Sequence, residues 1–454
     1  MKNIIEAFIR QFKDFTVILL LILAVFGGFC GSLGGFGGFA DSLIVFAIVF
    51  ANACFGAYQE LNADRVLGKA DGERPTPLQK ELGEVGRGLF IITLGLCAVV
   101  FLGGLLRGGD FGSTLFLSVS LAVAVVPESL PAIVNVVLSV GVMRLDREGA
   151  AVRRLSAAES MGQIRAVFTD LKRLNKKDRN TLRKAGIKVF DITAEKAFYE
   201  LWQRNEIIAF AGETSEDERL INASDVGCCF SDNENMYKYA HIIFKNPESI
   251  SASVKIGREI FVNLKKAIHF LLSCNAGELL CVLSALILGL ETPLLGVQLL
   301  MVNLITDCLP AIAMGFEPER DDIISLSEIG EAGIFTPSFI IKIIFEGAVI
   351  AAVSLGAFVF GLSYGSIKTG RTMIFCVLCM SQLFHSFNMR SGGFLKNKFL
   401  NFSFLAGVFA VVSTFKVPLF AELLGFCILE NKLLFDAFIL SALPFVFFET
   451  IKKL

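Results

Sequence analysis

A nearly uninterrupted apolar run occupies residues 111–143, with the sequence FGSTLFLSVSLAVAVVPESLPAIVNVVLSVGVM. A membrane-spanning helix needs about 20 apolar residues, so the run is too long for one simple span. It contains Pro127 and Pro131, and proline breaks a helix because it cannot donate a backbone hydrogen bond. The run therefore predicts a span that is interrupted at the prolines and continues beyond the bilayer.

Nine further apolar segments predict a mainly α polytopic membrane protein with about ten transmembrane helices. The ten candidate spans are residues 15–38, 42–58, 88–106, 111–143, 267–290, 293–315, 335–362, 372–389, 399–415 and 433–448. Hydrophobic residues make up 54% of the chain and charged residues 19%, whereas soluble domains carry about 25% charged residues. The net charge of −1 argues against a nucleic-acid partner, whose phosphates require a basic excess.

The positions of Lys and Arg predict how the chain is oriented in the bilayer. Basic residues concentrate in residues 61–86, after the eighth span and at the end of the chain. Cytoplasmic loops carry an excess of Lys and Arg, so the N- and C-termini are expected to be cytoplasmic. Lys368 and Arg371 fall on the opposite side, so the rule holds only as a bias.

One stretch, residues 144–262, predicts a small soluble unit. Short apolar strands at residues 165–169, 187–193 and 207–212 alternate with helical patterns at residues 177–185 and 194–204. This alternation is typical of an α/β unit with a parallel sheet. An amphipathic helix over residues 249–266 is expected to run directly into the fifth span.

Three carboxylates lie at membrane depth in the predicted spans, namely Glu128, Glu278 and Asp307. Ionisable groups there cost several kcal/mol and usually mark a functional site. Amide and hydroxyl oxygens accompany them, from Asn275, Asn303 and Thr306. Such hard oxygen ligands suit Ca²⁺, which takes about 6–8 of them. The alternative is that each group is only a polar contact between helices.

Three other polar groups in the spans receive less weight. Glu346 is expected to snorkel or to pair, and His269 is interpreted as a residue of the membrane interface rather than a proton relay. His385 in the eighth span is interpreted as a neutral group with no assigned role.

Several of these segments, in order along the chain, resemble P-type cation-transporting ATPases. The resemblance is strongest to calcium pumps of the sarcoplasmic-reticulum and bacterial kind. Residues 125–131, VVPESLP, resemble the signature of the family's fourth helix. Residues 271–278, LLSCNAGE, resemble the fifth helix, and residues 298–311, QLLMVNLITDCLPA, resemble the sixth. The resemblance implies ten membrane helices and a haloacid-dehalogenase-like phosphorylation domain.

The resemblance also implies two calcium sites in the membrane. The first comprises Glu128, Asn303 and Asp307, and the second comprises Asn275, Glu278, Thr306 and the shared Asp307. Two-site members carry an acidic residue on the eighth helix, where this chain has Gln382 in the sequence QLFHSFN. The implied ion, bound or transported, is Ca²⁺ or another cation.

The catalytic motifs depart from those of the family. The phosphorylation motif D-K-T-G-T becomes Asp170 followed by Leu-Lys-Arg, and the magnesium motif T-G-D-G-x-N-D becomes AGETSED at residues 211–217. The resemblance places catalytic roles at Asp170, Lys196 and Asp217, and Mg²⁺ ligands at Asp170, Glu213 and Asp217. Phosphoryl transfer depends on positioning and on charge neutralisation, so productive use of Mg²⁺ and ATP is not expected.

Two soluble domains of the family have no counterpart at the expected places. The actuator domain lies between the second and third helices, where this chain has only residues 61–86. The nucleotide-binding domain follows the phosphorylation motif, but residues 184–189, KAGIKV, already resemble the late phosphorylation domain. The expected organisation is therefore helices 1–2 in residues 1–60, a short cytoplasmic linker in 61–86, helices 3–4 in 87–143, a reduced phosphorylation domain in 144–262, helices 5–6 in 263–316 and helices 7–10 in 317–454.

Three functions are compatible with these features. The favoured one is a degenerate pump, a pseudoenzyme without an ATP-driven motor that either binds a divalent cation in the membrane or lets it run downhill. The second is a working pump whose missing domains come from a separate chain, because Asp170 and Asp217 are retained. The third is a scaffold or regulator that associates with an intact pump in the lipid bilayer.

Overall fold

The computed structural model describes residues 77–109, 130–232, 234–318 and 334–452, together with scattered positions between residues 8 and 121. Helices dominate these residues, and a single sheet is inserted among them. The helices are α1 Pro77–Leu106, α2 Leu130–Arg147, α3 Leu155–Met161, α4 Lys176–Lys184, α5 Glu195–Gln203, α6 Glu218–Ala223, α7 Glu248–Ile287, α8 Gly296–Thr306, α9 Cys308–Gly315, α10 Pro337–Ser363, α11 Ile367–Asn388, α12 Lys398–Lys416, α13 Pro418–Leu423 and α14 Asn431–Ile451. Most of the first two predicted spans lies outside the described residues.

The soluble unit is built on a six-stranded sheet. Its strands are β1 Ala150–Val152, β2 Ala166–Thr169, β3 Lys188–Asp191, β4 Ile208–Gly212, β5 Val226–Phe230 and β6 Ile242–Phe244, in the order β1-β6-β5-β4-β2-β3. Only β1 is antiparallel to its neighbour. The three strands that the sequence predicts are β2, β3 and β4, so the predicted α/β unit with a parallel sheet is confirmed.

Helices cover both faces of this sheet. Successive strand residues point to opposite faces, so Phe168 and Phe210 pack with Phe198 of α5 on one side. Val167 lies in a second buried cluster on the other side, with Leu182 of α4 and the first turns of α7. The unit therefore has a helix–sheet–helix core of its own.

Helix α7 joins the soluble unit to the membrane bundle. It runs unbroken for 40 residues, which confirms the predicted helix that continues into the fifth span. Its backbone touches α3 so closely that a Cβ atom added to Gly257 would lie 2.6 Å from the Gly162 nitrogen. The next residue, buried Arg258, donates from Nη1 to the carbonyl oxygen of Ala185 at 2.9 Å.

The membrane bundle contains helices that are long and apolar enough to cross a bilayer. Among the described residues there are five such spans: α7, α8 with α9, α10, α12 and α14. Helix α11 is more polar and packs against α10 and α14. The structure therefore supports an integral membrane protein, and the total of ten spans stays a prediction.

The sixth predicted span is interrupted, which the sequence analysis did not anticipate. Helix α8 ends at Thr306 and α9 begins at Cys308, with Asp307 between them. Pro310 has no N–H group to donate to the Thr306 carbonyl oxygen four residues earlier. The Thr306 carbonyl oxygen therefore receives no hydrogen bond from Pro310, at the residue next to the buried Asp307.

We predict that the Gly257→Ala change destabilises the junction between α3 and α7. The added methyl group collides with the backbone at Gly162, and overpacking of this kind costs about 1–3 kcal/mol. Gly356→Ala is the matched control, because a Cβ atom there meets nothing within 4 Å. Thermal unfolding followed by the fluorescence of Trp202, the single tryptophan, tests this. Equal melting temperatures of the two variants would contradict it.

His241 couples the stability of the soluble unit to pH. Its Nδ1 accepts a hydrogen bond from the Gly227 N–H group at 3.1 Å, and Arg154 Nη1 lies 2.9 Å from its Nε2. Burial and then the charge of Arg154 lower the pKa of His241 to about 4 from an ordinary value of 6.5. The folded unit therefore holds this imidazole neutral where the unfolded chain protonates it.

The consequence is a loss of stability as the pH falls. Between pH 6.5 and about 4 the unfolded state binds more protons than the folded state. The contribution of His241 to the free energy of unfolding is therefore complete above pH 6.5 and decreases by about 3 kcal/mol as the pH falls through this range. Chemical denaturation followed at Trp202 at pH 7 and pH 4.5 measures the decrease. We expect His241→Gln to show a smaller decrease, and an unchanged pH dependence in that variant would refute the assignment.

Candidate functional site

The centre of the bundle contains a buried carboxylate that is only half satisfied. Gln382 of α11 donates from Nε2 to Glu278 Oε1 of α7 at 2.9 Å, and to the Cys274 carbonyl oxygen at 3.4 Å. Glu278 and Gln382 are both 0% exposed. Glu278 Oε2 and Gln382 Oε1 have no hydrogen-bond partner among the described residues. Because an unpaired buried carboxylate is costly, these oxygens are suited to hold a cation.

A second carboxylate lies at the interruption between α8 and α9. Asp307 is buried and close enough to Glu278 for the two side chains to interact electrostatically. The hydroxyl of Thr306 donates to the Val302 carbonyl oxygen at 3.0 Å and lies 3.4 Å from Asp307 Oδ1. Two buried carboxylates repel each other, and a cation held by both removes that penalty.

The structure places most of the predicted cation ligands on helices that pack together. Asn275 is buried one turn before Glu278, and Asn303 is half-buried one turn before Asp307. Glu128 lies outside the described residues. Within the part of the chain that the structure describes, no group of three or more His, Cys, Asp or Glu side chains converges as a metal site. The described ligand set is therefore two carboxylates with amide, hydroxyl and backbone oxygens.

Acidic side chains also gather at the carboxyl edge of the sheet, where α/β folds bind their ligands. They lie at or directly after the ends of neighbouring parallel strands and are Asp170, Asp191, Glu213 and Asp232. Asp170 Oδ1 accepts a hydrogen bond from the Lys172 N–H group at 2.8 Å. Asp217 Oδ2 accepts from the N–H groups of Glu213 and Thr214 at 2.8 and 2.9 Å. One oxygen of Asp217 therefore holds the turn after β4 in place.

Arg173 closes this edge with a positive charge of the protein itself. Its Nε lies 2.7 Å from Glu213 Oε1, and its Nη1 lies 3.0 Å from Asp232 Oδ2. The guanidinium also lies over the Phe230 ring, 5.0 Å from its centroid. Burial raises the pKa of the Glu213 carboxyl, an effect that Arg173 opposes and Asp170 reinforces.

Part of the carboxylate oxygen at this edge is already engaged by the protein. Glu213 Oε1 pairs with a guanidinium and Asp217 Oδ2 accepts from the backbone, which leaves one oxygen of each, so the Mg²⁺ ligands implied by the resemblance stay a prediction. Lys196 is exposed on the first turn of α5, and no hydrogen bond or ion pair joins it to Asp170 in the described structure. The sequence contained a clue to the pairing of Arg173 with the acidic residues. In the motif D-K-T-G-T the family has glycine at the position where this chain has Arg173.

We predict that Arg173→Ala makes the soluble unit sensitive to divalent cations. Without the guanidinium, Asp170, Glu213 and Asp232 repel one another, and the free energy of unfolding falls by roughly 1 kcal/mol, the scale of a partly exposed pair. Added MgCl₂ should restore this loss in the variant and leave the wild type unchanged, as measured by Trp202 fluorescence. Arg219→Ala, which removes an arginine lying over Tyr199, is the control. If MgCl₂ stabilised the wild type as much as Arg173→Ala, the claim that Arg173 neutralises these carboxylates would be contradicted.

Comparisons with known proteins agree with the resemblance read from the sequence. Residues 291–454 match the family model described as "Cation transporting ATPase, C-terminus". The chain is 34% identical over 278 residues to calcium-transporting ATPase 1 of Bacillus cereus, covering 55% of this chain and 31% of that protein. It is 31% identical over 226 residues to the calcium-transporting ATPase of Bacillus subtilis, covering 48% of this chain and 25% of that protein.

A plant relative extends the comparison. The endoplasmic reticulum-type calcium-transporting ATPase 3 of Arabidopsis thaliana is 31% identical over 169 residues, which is 36% of this chain and 17% of that protein. The chain thus spans less than a third of the length of each of these relatives. Over the matched stretches the chain is similar to calcium-transporting ATPases, and its residues 291–454 match the C-terminal part of cation-transporting ATPases.

Proposed function

We propose that this chain binds Ca²⁺ within its membrane bundle and does not carry out ATP-driven catalysis. The observation that carries the proposal is Glu278, fully buried and with Oε2 unpartnered among the described residues, beside the carboxylate of Asp307. The names of the relatives add that this family handles calcium.

The ligand chemistry supports a hard divalent cation. Glu278 and Asp307 supply negative charge, and Asn275, Asn303 and Thr306 supply neutral oxygens on the same helices. Glu128, in the predicted fourth helix, would complete this set. Gln382 is neutral where two-site pumps carry an acid, and fewer ligand charges weaken Ca²⁺ binding. The proposed site is therefore of lower affinity than one with an acidic eighth helix.

Three features of the soluble unit support the loss of catalysis. Arg173 pairs with Glu213 and Asp232 at the edge of the sheet. Lys196 is exposed, and no hydrogen bond or ion pair joins it to Asp170 among the described residues. The connection from β2 to β3 holds one helix of nine residues, α4, where the family inserts a nucleotide-binding domain. Residues 144–262 are proposed to be a reduced phosphorylation domain.

The finer membrane arrangement is part of the same proposal. Ten spans place both termini on one side of the bilayer, and the Lys and Arg distribution makes that side cytoplasmic. The α/β unit is inserted between α2 and α7, which correspond to the fourth and fifth helices. It would then lie on the cytoplasmic side, as the phosphorylation domain of the family does.

A pump completed by another chain is the second candidate. It is favoured by Asp170, which is retained directly after β2 and remains partly exposed. A partner would have to supply both ATP binding and the displacement of Arg173. If the chain is only a scaffold for an intact pump, it needs neither ATP binding nor the displacement of Arg173, and it should bind no cation.

We predict that purified protein in lipid nanodiscs binds ⁴⁵Ca²⁺ saturably without ATP. Glu278→Gln and Asp307→Asn each remove a charged ligand and should weaken binding at least tenfold, about 1.4 kcal/mol. Glu422→Gln, at an exposed position of α13, is the matched control and should bind like the wild type. Retained elution volume and melting temperature show that each variant folds.

Labelling with [γ-³²P]ATP separates the candidates. If the chain lacks ATP-driven catalysis, we expect no phosphoenzyme in the wild type or in Asp170→Asn. Labelling that appears with a second chain and disappears in Asp170→Asn would favour the completed pump. An absence of Ca²⁺ binding together with co-purification of an intact pump would favour the scaffold.

A further inference from the structure

Three ionisable side chains meet in the bundle away from the proposed cation site. Nε2 of His269 on α7 lies 2.7 Å from Oε2 of Glu346 on α10, and Nε2 of His385 on α11 lies 3.3 Å from the same oxygen. The three residues are 5%, 4% and 0% exposed, respectively. The sequence analysis interprets His269 as a residue of the membrane interface, and the structure adds that its side chain is buried against α10.

Oxygen atoms lie near both ring nitrogens of His385. Its Nδ1 lies 3.3 Å from Asn388 Oδ1. The Asn388 amide cannot be reversed, because its Nδ2 donates to the Phe445 carbonyl oxygen at 3.2 Å and to Glu449 Oε1 at 3.0 Å. An oxygen atom therefore lies 3.3 Å from each ring nitrogen of His385, and an imidazolium carries a hydrogen on both nitrogens.

One further charge, that of Lys342, reaches Glu346 from the surface of the bundle, and the others near the cluster are already paired. Lys342 Nζ lies 3.9 Å from Glu346 Oε1 on a side chain that is 53% exposed. On α14 and the end of α11, Glu449 pairs with Arg390 and Lys452. Ser273 Oγ lies 3.5 Å from Glu346 Oε2, and Cys274 is also close to Glu346. The two imidazoles are thus the nearest groups that can neutralise Glu346.

We propose that His269, Glu346 and His385 form a buried proton-binding site. A buried carboxylate between two neutral imidazoles would have as its nearest cation only the half-exposed Lys342, at 3.9 Å, and a solvated partner offsets little of the cost of a buried charge. One added proton removes this cost, whether it forms an imidazolium beside the carboxylate or a carboxylic acid that donates to an imidazole. The site is independent of the proposed Ca²⁺ site, since it shares no side chain with it.

The bound proton holds the bundle together at this level. The three residues come from α7, α10 and α11, and Asn388 extends the network to α14 through Glu449. Release of the proton at alkaline pH leaves an unpaired buried charge and weakens the packing of α10 on α7. Stability contributed by this site is therefore full at lower pH and is lost as the pH rises.

The chain has only three histidines, so ¹⁵N-histidine labelling of protein in nanodiscs resolves the site. His241 is an internal reference for a neutral ring at pH 7.5, because its pKa is about 4. At pH 7.5, a full unit above the ordinary histidine pKa of about 6.5, we expect an imidazolium signal or the infrared carbonyl band of a protonated carboxyl. Glu346→Gln should abolish it, and Lys342→Gln should retain it.

A wild-type protein with three neutral imidazoles and no such carboxyl band at pH 7.5 would overturn the proposal. So would a signal that Glu346→Gln leaves in place. If Glu346→Gln does not fold, His269→Gln replaces it, because it removes one imidazole and keeps the carboxylate. The proton should then be released at least one pH unit earlier than in the wild type, and an unchanged titration in His269→Gln contradicts the site.

Discussion

Polar side chains that are buried in a membrane bundle must be satisfied by the protein itself, because lipid offers neither hydrogen bonds nor counter-charges. In this chain that requirement fixes how the helices pack. Gln382 of α11 is held against Glu278 of α7. Glu346 of α10 is held between two imidazoles. Where the requirement is not met, at Glu278 Oε2, the structure offers a place for a cation.

Helix α7 connects the two parts of the molecule. Its first half is locked against the soluble unit at Gly257 and Arg258, and its second half carries Glu278. The same helix thus connects the sheet, where Arg173 pairs with Glu213 and Asp232, to the bundle that holds the buried carboxylates.

Much of the architecture was predictable because it follows from local patterns. The strands β2, β3 and β4 and the continuous α7 follow from hydrophobic periodicity, and the buried carboxylates follow from their position within apolar runs. The interruption at Asp307 depends on Pro310. A hydropathy pattern does not show that a proline leaves one carbonyl oxygen without its helical hydrogen bond. The pairings of Arg173 and of Glu346 join residues far apart in the sequence, so their partners could not be identified before the fold was known.

The central claim is that a cation site persists without the chemistry that would drive it. The most direct measurement is a Ca²⁺ binding isotherm of the purified protein in nanodiscs, recorded with and without Mg²⁺-ATP. We expect saturable binding and the same isotherm under both conditions. The membrane bundle binds the ion, and the soluble unit, in which Arg173 pairs with Glu213 and Asp232, is not expected to hydrolyse ATP. An absence of saturable binding, or an isotherm displaced by Mg²⁺-ATP, would contradict it.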